Sequence, residues 1–188
     1  MPEEQVKATA HLRERAARLT LGEIRARVGA ALGGLEALVE GISEADARRR
    51  PAHAEWSIQD VVDHLVETNR ASVEELAFLL RGQRPPGPPI PAGLQSAAPL
   101  ATPWDELRRE LRDVSRAALA LLESARPDLP TTAAAPVVMV ININRPDGSE
   151  WTHSWVEELD WKAYAFVLSL HVLEHTNQVR TIRSAQGA

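Results

Sequence analysis

Between Leu21 and Gly41 the apolar residues recur at Ile24, Val28, Leu32, Leu35, Leu38, Val39 and Ile42, the three-and-four spacing of a helix with one buried face. Gly29, Gly33 and Gly34 interrupt that stretch. Each costs about 1 kcal/mol relative to alanine when exposed, unless it admits a close helix neighbour. A second helix is announced by EWSIQDVVDHL, where Ser57 can cap the backbone, Asp60 sits three residues on, and Trp56 with Val61 forms a hydrophobic staple. Its buried face reads Ile58, Val61, Val62, Leu65, Val73, Leu76 and Leu80, and Gly82 ends it. A third helix opens at TPWDEL, with Thr102 as cap, Pro103 in the first turn and Asp105 and Glu106 near the positive end of the dipole. Leu107, Leu111, Val114, Ala118, Leu121 and Leu122 form its stripe, and Arg126-Pro127 stops it. The last helix is predicted from about Val156 to Ser184, with Ser154 and Glu157 at capping-box spacing.

The stretches between these helices break the three-and-four rhythm. Residues 84–103 hold seven of the 13 prolines, so neither helix nor central strand is expected there. Extended at the polyproline rise, such a connector spans roughly 60 Å, against roughly 39 Å for the preceding helix. The helices on either side of it can therefore run parallel. APVVMVININ and EWTHSWV flank an Asp147-Gly148 turn and read as a hairpin over residues 136–156. Residues 1–19 are rich in Glu, Arg and Ala with few apolar anchors, and read as a frayed or solvent-lying helical lead-in. The expected fold class is all-α: a four-helix bundle over residues 20–188 with a small β-hairpin inserted before the last helix.

Composition narrows the function. Of 188 residues, 44% are hydrophobic and 25% charged, which fits a folded domain and not a disordered tail. The absence of cysteine removes disulfide scaffolds, thiolate zinc sites and cysteine nucleophiles, so any metal must be held by His, Asp or Glu. The net charge of −5 argues against nucleic acid as a partner. No apolar run approaches the roughly 20 residues of a membrane span, and the charged N-terminal segment lacks a signal-peptide core. A cytoplasmic protein acting on a small molecule is the expectation.

The chemistry concentrates in WKAYAFVLSLHVLEHTNQVRTIR, where His171 and His175 are four residues apart and share one helical face. Six histidines produce such a spacing by chance in about one protein in seven, so the spacing alone is weak. Its setting is stronger, because Tyr164, Val167 and Leu168 precede the pair on the same face and Val179 and Ile182 follow it. Imidazoles in core positions need partners, since an unpaired buried polar group costs about 1–3 kcal/mol. A shared metal ion satisfies them; so would neighbouring side chains or a wet crevice. His64, beside Val61 and Leu65, is the third candidate. Three imidazoles leave a coordination position open, as in catalytic sites, whereas structural zinc sites are closed by four protein ligands.

W-S-I-Q-D-V-V-D-H-L, a variable centre and a last helix bearing H-V-L-E-H-T-N-Q together resemble the DinB/YfiT-like superfamily of metal-binding bundles, from roughly residue 25 to residue 183. The resemblance implies helices in up-down-down-up order, a divalent ion (zinc or nickel) on His64, His171 and His175, and often a homodimer. It also implies transferases or isomerases that use low-molecular-weight thiols such as bacillithiol or mycothiol, with water or thiol activated at the ion; many members have no known reaction. Two departures from the family are the long Pro-rich connector and the hairpin. A metal-dependent thiol S-transferase is the leading reading; a non-catalytic, stress-associated metal-binding bundle is the alternative.

Asp60 and Glu174 are candidates for orienting the metal ligands, against plainer readings as a helix-start residue and a solvated charge. Gln178 lies one turn beyond His175 and either binds a polar group or faces water. His153 alternates with Trp151 and Trp155 on one strand face, to line the pocket mouth or to pack on the bundle. His11 and His53 read as surface residues. Arg48, Arg49 and Arg50 read as a solvated run or an anion-attracting patch.

Overall fold

In chain order the elements are α1 (Glu3–Arg18), α2 (Leu21–Glu40), α3 (Glu44–Arg48), α4 (Ile58–Leu80), α5 (Trp104–Ser124), β1 (Ala134–Asn144), β2 (Glu150–Asp160) and α6 (Trp161–Ala185). They come from a computed structural model that describes residues 2–52, 56–144 and 150–187. The four long helices form the body: α2 packs on α5 and α6, and α4 packs on the same two. Ile24, Val28, Leu32 and Leu35 of α2 meet Val61, Leu65 and Leu76 of α4, Leu107, Leu111 and Leu122 of α5, and Trp161, Val172 and Val179 of α6 in one buried core. Each such side chain contributes roughly 1.5–3 kcal/mol by leaving water. The apolar stripes of the sequence are thus the buried faces.

The start of α4 forms as its residues dictate. The Ser57 hydroxyl accepts from the Asp60 backbone N–H (3.2 Å), and the Asp60 carboxylate accepts from the Ser57 backbone N–H (2.8 Å). At its end Gly82 has φ +71°, and the N–H groups of Gly82 and Gln83 turn back onto the carbonyls of Leu79 and Phe78, the Schellman closure that glycine makes cheap. From there the Pro-rich connector returns to the beginning of α4. Gln59 donates to the carbonyls of Pro99 and Thr102 (3.0 and 2.9 Å), Gln95 donates to the Asp60 carbonyl (3.0 Å), and the Ser96 N–H and hydroxyl donate to Asp63 (2.9 and 2.6 Å). A segment without secondary structure of its own is held by polar side chains of the helix it crosses.

Several expectations are corrected. Residues 3–18 are not a frayed lead-in: α1 is a 16-residue helix that packs on α6, burying Gln5, Leu12 and Ala16. Thr9 and Arg13 bond to Glu157 of the hairpin, a partner 144 or more residues away that no local pattern discloses. Pro103, not Thr102, is the N-cap of α5, and it makes no side-chain cap. Helix α6 begins at Trp161 behind an Asp160 cap, whose carboxylate accepts from the Ala163 N–H (2.9 Å). Ser154 and Glu157 lie instead in β2, so their capping-box spacing is coincidental. The antiparallel hairpin is accordingly longer than residues 136–156, with Ala134 opposite Asp160. Of Gly29, Gly33 and Gly34, only Gly29 stands where an added Cβ would meet a neighbour, Leu119 of α5. The Asp147-Gly148 turn and His53 lie outside the described residues.

Candidate metal centre

His64 projects from α4, and His171 and His175 project from successive turns of α6. Each helix carries a stripe with polar groups at the three-and-four interval that keeps side chains on one face: His64, Thr68, Ser72 and Glu75 on α4, and Tyr164, His171 and His175, with Leu168 between them, on α6. Because α4 and α6 pack together, the stripes meet. The three imidazole centroids lie 5.1 Å (His64 to His171), 4.7 Å (His64 to His175) and 4.6 Å (His171 to His175) apart. One nitrogen from each ring falls within 4.8 Å of the others, which allows the trio to hold a metal ion.

Protons on the far side of the rings set what the near side offers. His64 Nδ1 sits 2.7 Å from the Leu94 carbonyl oxygen. A carbonyl only accepts, so Nδ1 carries the hydrogen and Nε2 of the neutral ring is a bare lone pair. The same reasoning applies to His175, whose Nδ1 donates to Gln178 Oε1 at 2.7 Å. His64 Nε2 then faces His171 Nε2 across 3.1 Å. A tetrahedral ion with nitrogens at about 2.0–2.1 Å separates them by about 3.3 Å, so this pair already stands at ligand spacing.

Burial keeps the rings uncharged. His64 is only 1% exposed, and desolvation lowers its pKa to about 4. His171 falls to about 3, through desolvation first and then the proximity of His175 and His64. His175 is also lowered by desolvation, opposed by its bond to Gln178 and by Glu174. All three are therefore neutral near pH 7, the form in which imidazole binds a metal. His64 is fully buried because the connector, through Leu94, covers it.

The surroundings separate the candidates. Gln178 is the hydrogen-bond partner of His175. Glu174 is exposed and lines, with Trp56, Asn142 and Gln178, a depression on the outer side of His175. The Asp60 carboxylate is engaged by the Ser57 N–H and hydroxyl and by Arg50 (2.9 Å), which is the helix-start role. His153 stacks on Trp155, meets Trp151 at a tilt and bonds to Gln5 of α1 at 3.0 Å. Arg48 and Arg49 pair with Glu44 and Asp46 of their own helix turn.

Sequence reasoning missed four contributors. Trp56, read as a staple, stands over His64 (5.1 Å between ring centroids) and stacks on His175 at 6.2 Å. Leu94 acts through its carbonyl, which carries no side-chain signal. Glu75 and Tyr164 form the far end of a cavity of about 100 Å³ that His171 also lines, and Tyr164 donates to Glu75 Oε2 at 2.5 Å. The α4 polar stripe running from His64 to Glu75 was the signal available for that pair.

No helix among the described residues is long and apolar enough to cross a membrane. Against curated protein sequences the chain has no match. Its fold resembles the crystal structure of the mycothiol-dependent maleylpyruvate isomerase, with a TM-score of 0.64 at 11% sequence identity over 87% of this chain and 62% of that one. The chain thus spans about 62% of the length of that structure, and at such low identity the likeness is one of fold. The sequence pattern of the DinB superfamily matches residues 27–156, a stretch that includes His64 and stops short of His171 and His175. With more than half of its length inside that pattern, the chain belongs to the DinB superfamily.

Proposed function

We propose that this protein is a metal-dependent enzyme that transfers or rearranges a small molecule with the help of a low-molecular-weight thiol, its ion held by His64, His171 and His175. The observation that carries this reading is the convergence of three neutral imidazoles, two of them with Nδ1 committed to an oxygen acceptor and Nε2 left bare. A divalent ion, zinc or nickel, supplies Lewis acidity that lowers the pKa of a water or thiol beside it and yields a nucleophile at neutral pH. The chain does the rest. The Leu94 carbonyl and Gln178 hold two rings in register, burial keeps all three uncharged, and the wall of Trp56 limits access of bulk water. Because three protein ligands leave a position open, the arrangement suits catalysis better than a closed structural site.

The remaining parts of this reading have separate support. An up-down-down-up helix order is supported by the connector, which returns along α4 so that α5 begins near the start of α4. The α4 and α6 contacts, His64 with His171 and Glu75 with Tyr164, favour opposite directions for that pair. A homodimer is supported by Leu170 and Leu173, exposed one turn apart on α6. Cytoplasmic residence suits the chemistry, because thiols are kept reduced there.

Metal analysis of protein purified without an affinity tag should find close to one equivalent of a divalent ion, and His171→Ala should remove it. A panel of low-molecular-weight thiols and electrophiles should show conjugation or isomerisation that disappears in the same variant. A preparation holding well under a tenth of an equivalent, and taking up neither zinc nor nickel, sinks the proposal. Full metal loading with no turnover across the panel leaves the non-catalytic metal-binding bundle instead.

A further inference from the structure

The cavity that ends at His171 has a chemical character distinct from that of the histidines. Its walls are Val167 and Leu168 of α6, the connector from Ile90 to Ala92, and β1 from Pro136 to Val138. The acidic group on the lining is Glu75, and no lysine or arginine lies among the lining residues. Tyr164 donates one hydrogen bond to the Glu75 carboxylate and is itself in hydrogen-bond contact with Ser72. A carboxylate offers about four lone-pair positions, so the bond from Tyr164 leaves most of its accepting capacity for a further donor. Burial raises the Glu75 pKa and also raises that of Tyr164, which therefore stays a neutral donor. Among the described residues Glu75 has no cationic partner within ion-pair distance.

A half-buried carboxylate held in place by a tyrosine, at the end of an apolar slot and without a counter-cation from the chain, is complementary to a cation from outside. We propose that the cavity binds a small molecule with an apolar body and a protonated amine, the amine seated on Glu75 and the body directed toward His171. This names a substrate class for the histidine centre and in that respect rests on the metal reading; recognition of the amine needs no metal.

The dimensions agree. Tyr164 and His171 are seven residues apart, roughly 10 Å along the α6 axis, about the length of a ring or short chain plus one polar head. A volume of about 100 Å³, below the roughly 150 Å³ of a dry cavity that holds benzene, excludes large conjugates from this slot and limits the body to one small ring or a short chain. Small organic acids are disfavoured, because a carboxylate directed at Glu75 sets like charges together in a place of low dielectric.

The test compares benzylamine, benzyl alcohol and benzoate, which share a ring and differ in headgroup. Each is titrated calorimetrically at pH 7 into the full chain, once with chelator and once with stoichiometric zinc. Benzylamine should bind at least tenfold more tightly than benzyl alcohol, and benzoate should not bind measurably. Glu75→Gln, which keeps the side-chain shape, should bring benzylamine down to the level of the alcohol. The proposal is overturned if wild-type protein takes benzoate as well as benzylamine, if Glu75→Gln keeps the amine preference, or if no amine binds up to 10-fold above ~1 mM. The wild-type headgroup series decides the matter even if the variant fails to fold. Amine preference in protein that binds neither zinc nor nickel defeats the metal reading alone, whereas metal binding without amine preference defeats this inference alone.

Discussion

Acidification from pH 7.5 to 5.0 should destabilise the metal-free protein by an amount the histidine cluster sets. In the unfolded chain each imidazole titrates near 6.5, while in the fold desolvation holds His64 at about 4 and His171 at about 3. Below pH 6.5 the unfolded state therefore binds more protons, and stability falls as the pH drops through that window toward the folded values. At pH 5.0 each ring lies 1.5 units below its unfolded value, worth about 2 kcal/mol, so the two together cost roughly 4 kcal/mol. His175 is shifted in the same direction and adds to the loss. Glu75 opposes it, because its raised folded pKa lets the native state take up a proton first. Asp60 is lowered from 3.8, so its contribution disappears only at more acid pH. Against a total of about 5–15 kcal/mol, a loss of this size is readily seen. Urea unfolding followed by helical circular dichroism, in chelator, should show the midpoint moving down by roughly 2 M with the slope unchanged, for a slope near 2 kcal/mol/M. His171→Leu should reduce the shift by about half. A midpoint that stays within roughly 0.2 M across the same pH range would refute the buried, neutral cluster and the burial argument behind it.

Removing the acceptor behind His175 with Gln178→Leu should weaken zinc or nickel binding about 10- to 100-fold without altering the helical spectrum, as read by competition with a chromophoric chelator. Ser57→Ala removes the hydroxyl that caps α4 and takes one donor from Asp60, and should cost about 1–2 kcal/mol in urea unfolding at pH 7. A loss under about 0.3 kcal/mol would mean the Asp60 and Arg50 contacts hold that helix start by themselves.

The legible parts of the molecule are those with a local physical cause. Helix α2 lies within a residue of its predicted bounds because Ile24, Val28 and Leu35 repeat at the helical period and bury together. The Ser57 cap was readable because both of its partners lie within three residues. The start of α6 was not. Around residue 156 the alternation of β2 and a chance S-x-x-E spacing compete, and a strand pairing with β1 outweighs the cap. The helical character of α1 was legible but its anchoring was not: few of its residues are apolar, and it is held by Glu157 and His153 of the hairpin, far along the chain.

For the site, the residue types and helical spacing already singled out His64, His171 and His175, since i and i+4 positions on one helix must share a face. What spacing cannot supply is a distance between helices. Only the packing of α4 on α6 sets His64 Nε2 3.1 Å from His171 Nε2, only the folded-back connector puts the Leu94 carbonyl behind His64, and only the same packing joins Tyr164 to Glu75. Local pattern determines which side chains leave water together; the contacts among them are long-range, and they exist only once the chain has closed on itself.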